Sequence, residues 1–358
     1  MQEKITQLLS QVLYPNFQKD IVSYGFLKEI RQEDDKFAIC LAIPSSDPNV
    51  AKALYDKIDN VLSNAGIQAS ISIQTPTPKQ TPTPQTKNAL PQVKHFIMVS
   101  SGKGGVGKST ASTNLAIALA MEGKKVGLLD ADIYGPNIPR MFGLQGKKPS
   151  LDASGKRLIP LNAFGVDIMS MGMLFDEGES LIWRGPMLMR AIAQMFSDVV
   201  WQELDVLVLD MPPGTGDAQL SIAQSLPVSA GIVVSTPQLV SLDDGARALD
   251  MFNKLSIPIA GIIENMSSFI CPECGNEYDI FGKDTTLPLA QKYNTQVLAK
   301  IPLEPSIREG GDNGKPIVYF MPDTPTAKAY RKTANTLLDF LAHVERQNLA
   351  GNAQIQPR

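Results

Sequence analysis

Gly102-Lys103-Gly104-Gly105-Val106-Gly107-Lys108-Ser109 satisfies the spacing G-x-x-x-x-G-K-[ST], a glycine-rich loop that closes around a polyphosphate. Residues without a Cβ let backbone N–H groups come close to phosphate oxygens. The spacing sends Lys108 to the β- and γ-phosphates and offers the Ser109 hydroxyl to Mg²⁺, with Thr110 beside it as a further nucleotide-binding residue. His95-Phe96-Ile97-Met98-Val99 before the loop reads as a buried parallel strand. Leu115, Ile117, Ala118 and Leu119 after it fall on a helix starting near Lys108. The phosphates then meet a helix N-terminus, whose free N–H groups and dipole favour anions. Lys103, directly after the first glycine, is what an ordinary loop of this kind lacks.

Working outward, the strand Val126–Leu129 ends at Asp130-Ala131-Asp132, followed by a Gly135-Pro136 loop suited to a switch segment. Asp132 is placed to position an attacking water or to reach Mg²⁺ through one, and Asp130 to support it. The strand Val206–Leu209 delivers Asp210, an acid placed to hold the Mg²⁺ water shell, before a loop in which the Gly214 N–H is positioned to sense a γ-phosphate. Further apolar runs at Val166–Ser170, Gly231–Val234, Ile259–Ile263 and Val297–Ile301 alternate with helical segments. The expected fold class is α/β: a mostly parallel sheet covered by helices on both faces, with ligand chemistry beyond the carboxyl ends of the strands.

Cys271-Pro272-Glu273-Cys274 sets two thiolates on one side of a tight turn, a grip for a soft metal. By spacing alone an iron–sulfur cluster, a zinc ion and a redox dithiol stand level. Two sulfurs do not complete a four-ligand site, and Cys40 lies in a separate module, in a strand where it reads as buried apolar filler. The same pair from a second chain across a two-fold axis completes the set most simply.

The chain has 358 residues, enough for two domains, with 43% hydrophobic and 19% charged residues as in soluble globular protein. Lys and Arg total 33 against 36 acids, a net charge of −3, so no overall field draws nucleic acid or an anionic membrane. No apolar run reaches the roughly 18 residues of a membrane span, and Met1–Leu13 carries charge where a secretory segment is apolar, which points to the cytoplasm. Residues 75–92, with Pro76, Pro78, Pro82, Pro84 and Pro91, read as an extended linker. It separates a small α+β module, residues 1–74, from a nucleotide-binding domain, residues 93–346, and a polar tail, residues 347–358. A helix over Thr333–Val344 looks core-docked rather than like a basic membrane anchor.

Lys103 and the segments Asp130–Asn137, Asp210–Asp217, Glu264-Asn265-Met266-Ser267, Cys271–Cys274, Ile301-Pro302-Leu303 and Ile307–Asp312, in this order, resemble the Mrp-type (ApbC-like) iron–sulfur cluster carrier ATPases over about residues 94–345. The resemblance implies a P-loop NTPase fold and two protomers that sandwich ATP, with Lys103 acting on the partner's nucleotide. Asn265 and Pro302 then flank the adenine. Cys271 and Cys274 of both protomers hold a bridging [4Fe–4S] cluster, received from donors and passed to apoproteins. Residues 1–74 look like a MIP18-like domain, although Leu13–Gly25 departs from that domain's acidic opening, and a docking role is expected. Two other functions compete: a MinD- or ParA-like positioning ATPase, and a ligase on the same fold. The sequence supplies a basic anchor for neither membrane nor nucleoid, and no substrate pocket for a ligase.

Overall fold

The computed structural model describes residues 2–12, 20–23, 25–33, 36–43, 48–74, 88–133, 135–174, 185–271 and 273–353. It divides into two units, Met1–Gln85 and Thr86–Arg358. The expected linker lies outside the described residues up to 87. From residue 88 the chain is already packed: Leu90 is buried and the Gln92 carbonyl accepts from the Leu204 N–H at 3.1 Å.

In the first unit, helices Gln2–Leu9 and Pro48–Asn64 accompany a sheet in which Lys36–Ala42 pairs antiparallel with Leu27–Glu33 and parallel with Ala69–Gln74. Ile5, Leu9, Ile39, Leu41, Leu54, Ile58 and Leu62 form its core. Because strand side chains alternate, burying Ile39 and Leu41 turns Cys40 to the other face. Cys40 is half-exposed there, which corrects its reading as buried filler.

The second unit is built on a nine-stranded sheet ordered Glu277–Tyr278, Ile259–Ile270, Val228–Ser235, Val93–Ser100, Leu204–Asp210, Val126–Asp130, Val166–Ser170, Leu161–Ala163, with Val297–Leu303 also pairing Ile259–Ile270. Only the pairings of Glu277–Tyr278 and Leu161–Ala163 are antiparallel. The central strands are apolar on both sides because helices cover both. Ile97 and Val99 pack toward Lys108–Met121 and Pro325–Ala353, and Phe96 and Met98 toward Gly185–Ser197 and Leu239–Lys254. The helix Lys108–Met121 is buried nearly all round, as a helix pressed between sheet and outer helix must be.

Two elements run further than their apolar pattern. The last helix continues to Ala353, into the segment expected as a polar tail. The strand expected over Ile259–Ile263 extends to Ile270, next to Cys271, because Val297–Leu303 and then Glu277–Tyr278 supply its hydrogen bonds past Glu264-Asn265-Met266. Among the described residues no helix is long and apolar enough to cross a membrane.

Candidate functional site

Strand Val93–Ser100 feeds the glycine loop, and the loop turns into helix Lys108–Met121 through Gly107, at a φ of 87° that a Cβ would strain. No side chain caps this helix, so its first N–H groups are left for an anion. A Cβ on Gly102 would strike the Asp244 backbone, and one on Gly107 the Asn265 amide, whereas Gly104 and Gly105 face open space. The loop is therefore pinned at both ends and open on top. Asn265 holds one end by donating from Nδ2 to the Val106 carbonyl at 2.8 Å.

Neighbouring parallel strands end level, with Asp210 registered against Asp130, so three carboxylates gather beneath the loop. Lys108 Nζ lies 3.0 Å from Asp210 Oδ2 and 3.5 Å from Asp132 Oδ2. Ser109 Oγ donates to Asp210 Oδ2 and Ser112 Oγ to Asp210 Oδ1, each at 2.7 Å. Burial works to lower the Lys108 pKa, but the charges of Asp210 and Asp132 outweigh it and hold the ammonium above its usual value. Burial raises the Asp132 carboxyl, with Lys108 opposing and Asp210 adding to the shift. Asp130 is wholly buried. Desolvation first, then the Asp210 charge, push its carboxyl up to about 8. Its oxygens accept from Ser170 Oγ at 2.9 Å, from the Asp132 N–H at 3.1 Å and from the Ile138 N–H at 3.4 Å, so it ties the switch segment to the next strand. These hard oxygens, with acids in excess over the single lysine, fit a hydrated divalent cation.

The Gly214 N–H, expected to sense a phosphate, donates to the Ser101 carbonyl at 2.8 Å. Gln219 grips that loop from behind, donating from Nε2 to the carbonyls of Pro212 and Gly214, while its Oε1 lies 3.4 Å from Ser100 Oγ. Lys103 is half-buried and makes no ion pair with a described residue.

From Asn265 the same strand bulges at Met266, which adopts a left-handed φ of 53°, and reaches the cysteines six residues on. Cys271 and Cys274 sit at the tip of the hairpin whose arms pair Ile270 with Glu277. The turn closes by hydrogen bonds from the Cys271 N–H to the Asn276 carbonyl and from the Gly275 N–H to the Cys271 carbonyl, each at 2.9 Å. The backbone N–H of Cys274, then that of Glu273, point at the Cys271 thiol and hold its pKa below the usual thiol value. Cys274 is exposed and Cys271 half-exposed. Among the described residues no group of three or more His, Cys, Asp and Glu is arranged to hold a metal, so one chain offers the thiols as an incomplete set.

The structure thus gathers Lys108, Ser109, Asp130, Asp132 and Asp210 at one centre. It seats Asn265 on the loop and places Pro302 elsewhere, lining a cleft of about 410 Å³ with Glu264 and Lys300. Tyr134 and Pro272 lie outside the described residues. Sequence reading missed Ser112, Ser170 and Gln219. Ser112 was findable, one helical turn beyond Ser109, but Ser170 and Gln219 acquire meaning only from strand order.

A family model described as "ParA: NUBPL iron-transfer P-loop NTPase" matches residues 92–338. The iron–sulfur cluster carrier protein of Helicobacter pylori is 57% identical over 99% of this chain and 97% of its own. Among solved structures, a nucleotide-binding protein in complex with ADP from Archaeoglobus fulgidus is 35% identical, with a TM-score of 0.56, over 65% of this chain and 91% of that one. The cell-division ATPase MinD of Pyrococcus furiosus, 22% identical with a TM-score of 0.51 over 68% and 98%, shares the fold.

Proposed function

The chain belongs to the iron-transfer P-loop NTPase family, and from that premise we propose that it is an iron–sulfur cluster carrier whose paired chains hold a [4Fe–4S] cluster and whose ATP hydrolysis accompanies delivery to apoproteins. The observation that carries the reading is one strand, Ile259–Ile270, that seats Asn265 on the phosphate loop and ends at the cysteines. Neither a positioning ATPase nor a ligase has use for that connection.

The roles follow from the chemistry at each position. Backbone N–H groups from Gly102 to Thr110 enclose the phosphates, and Lys108 exchanges its carboxylate partners for β- and γ-oxygens. Ser109 and Asp210 hold Mg²⁺, which screens phosphate charge when bound. Asp132 orients the attacking water. Gly214 trades the Ser101 carbonyl for a phosphate oxygen, which makes its loop a switch. Lys103, which makes no ion pair with a described residue of its own chain, serves the nucleotide of the second protomer, and the adenine lies on the face of the sheet where Asn265 meets the loop. The cluster is cargo. A thiol pair exposed at Cys274 and half-exposed at Cys271 suits release better than a closed cage does, and the exposed Tyr278 and Ile280 nearby favour burial against a second copy.

Anaerobic reconstitution with iron and sulfide tests this. The protein should turn brown and carry about one cubane for every two chains, and Cys271→Ala or Cys274→Ala should each abolish it. A colourless parent protein with tightly bound zinc instead would remove the carrier.

A further inference from the structure

We propose that the cleft beside the cysteine hairpin receives a basic side chain, guanidinium or ammonium, presented by the protein that accepts the cluster. The acceptor as its bearer rests on the carrier reading; the cation does not. The cleft, about 410 Å³, is formed by the end of strand Ile259–Ile270, the strand Val297–Leu303 and the segment 277–284. Glu264 is its floor and is 1% exposed. One of its oxygens, Oε1, lies 3.9 Å from Lys300 Nζ, and the other, Oε2, has no hydrogen-bond partner among the described residues. A carboxylate so buried carries a desolvation cost that only a donor offsets.

The lining has an excess of acids. Glu264, Glu277, Asp279 and Asp284 face Lys283 and Lys300. Lys283 pairs with Asp279 at 3.6 Å and Lys300 with Asp284, so among the described residues the second oxygen of Glu264 and the Glu277 carboxylate are left for a cation from outside. With Lys283 and Lys300 already paired to two of these carboxylates, what Glu264 Oε2 lacks is a hydrogen-bond donor, which a bare metal ion is not. A guanidinium or ammonium on a flexible stem fits better, giving charge-assisted bonds at the floor and apolar contact with Ile270 and Pro302.

The nucleotide is not the occupant either. Glu264 and Asn265 are consecutive on a strand and project to opposite faces. Asn265 meets the phosphate loop, so the Glu264 cleft opens across the sheet from it. It opens beside the cargo instead: Ile270 in its wall precedes Cys271, and Glu277 is registered against Ile270. A basic side chain seated there would bring its owner against the thiols.

The test titrates the full-length protein with acetyl-glycyl-arginyl-glycinamide and with its citrulline analogue, which keeps the shape and loses the charge. The arginine peptide should saturate a single site and the citrulline peptide should not bind. Glu264→Gln should weaken the arginine peptide about tenfold, the scale of one charge-assisted hydrogen bond. Lys300→Met should strengthen it, because it removes the competing cation, whereas a merely damaged fold weakens binding in both variants. Saturating ADP should leave the affinity unchanged, and Glu264→Gln should slow cluster transfer to an apoprotein without lowering cluster content. Equal binding of the two peptides, weakening by both substitutions, or competition by ADP would overturn the proposal. Binding as described by a protein that never holds a cluster would keep the cation and remove the acceptor.

Discussion

Lys103 and Lys108 are five residues apart and have opposite surroundings: Lys108 is buried among carboxylates, and Lys103 makes no ion pair with a described residue. Lys108→Ala should therefore lower ATP hydrolysis about a hundredfold or more together with nucleotide binding. Lys103→Ala should spare binding, measured with a fluorescent ATP analogue, and impair turnover; equal loss of affinity in both would contradict the division. Cys271 makes a second prediction by pH. Its thiol is held low by the N–H groups of Cys274 and Glu273, so its thiolate persists to lower pH than in an unfolded chain. The pH midpoint of Cys271 alkylation by iodoacetamide should be lower in native than in urea-unfolded protein, and identical midpoints would remove the turn's role. Asp130 behaves oppositely. Burial, then the Asp210 charge, raise it, so from about pH 4 to about pH 8 the folded chain keeps a proton that the unfolded chain has released, and stability from this group falls as pH rises through that window. Asp130→Asn should accordingly gain in melting temperature over the parent as pH rises from about 5 to about 8. A margin independent of pH would contradict the buried proton.

The strand Ile259–Ile270 is the element on which the account turns, and it was the least legible. Its first half is an apolar run that any reading finds. Its second half, Glu264 to Phe269, carries polar residues and a left-handed Met266, which local pattern reads as the end of a strand. Only pairing with Val297–Leu303, distant in sequence, keeps it extended. The phosphate loop was fully legible by contrast, because its conformation is dictated locally by glycines. Asn265→Ala leaves the Val106 carbonyl without its donor and should weaken nucleotide binding about tenfold. Gly107→Ala should be worse, adding a positive-φ strain to a collision with that same amide. Nucleotide titration of both variants checks the order, and unchanged affinity in Asn265→Ala would show that the strand does not hold the loop.

At the scale of the molecule, strand–helix alternation anticipated the parallel sheet. Strand order and the level ending of Asp130 and Asp210 came from packing, where loops from distant segments meet. The central claim is that a single chain is half of each working site. Mixing two defective proteins tests it most directly. Lys108→Ala supplies an intact Lys103 to its partner, and Lys103→Ala supplies an intact phosphate loop. Mixed under conditions that exchange subunits, the two variants should hydrolyse ATP well beyond the sum of their separate rates. A mixture that exchanges subunits and stays at that sum would contradict the claim.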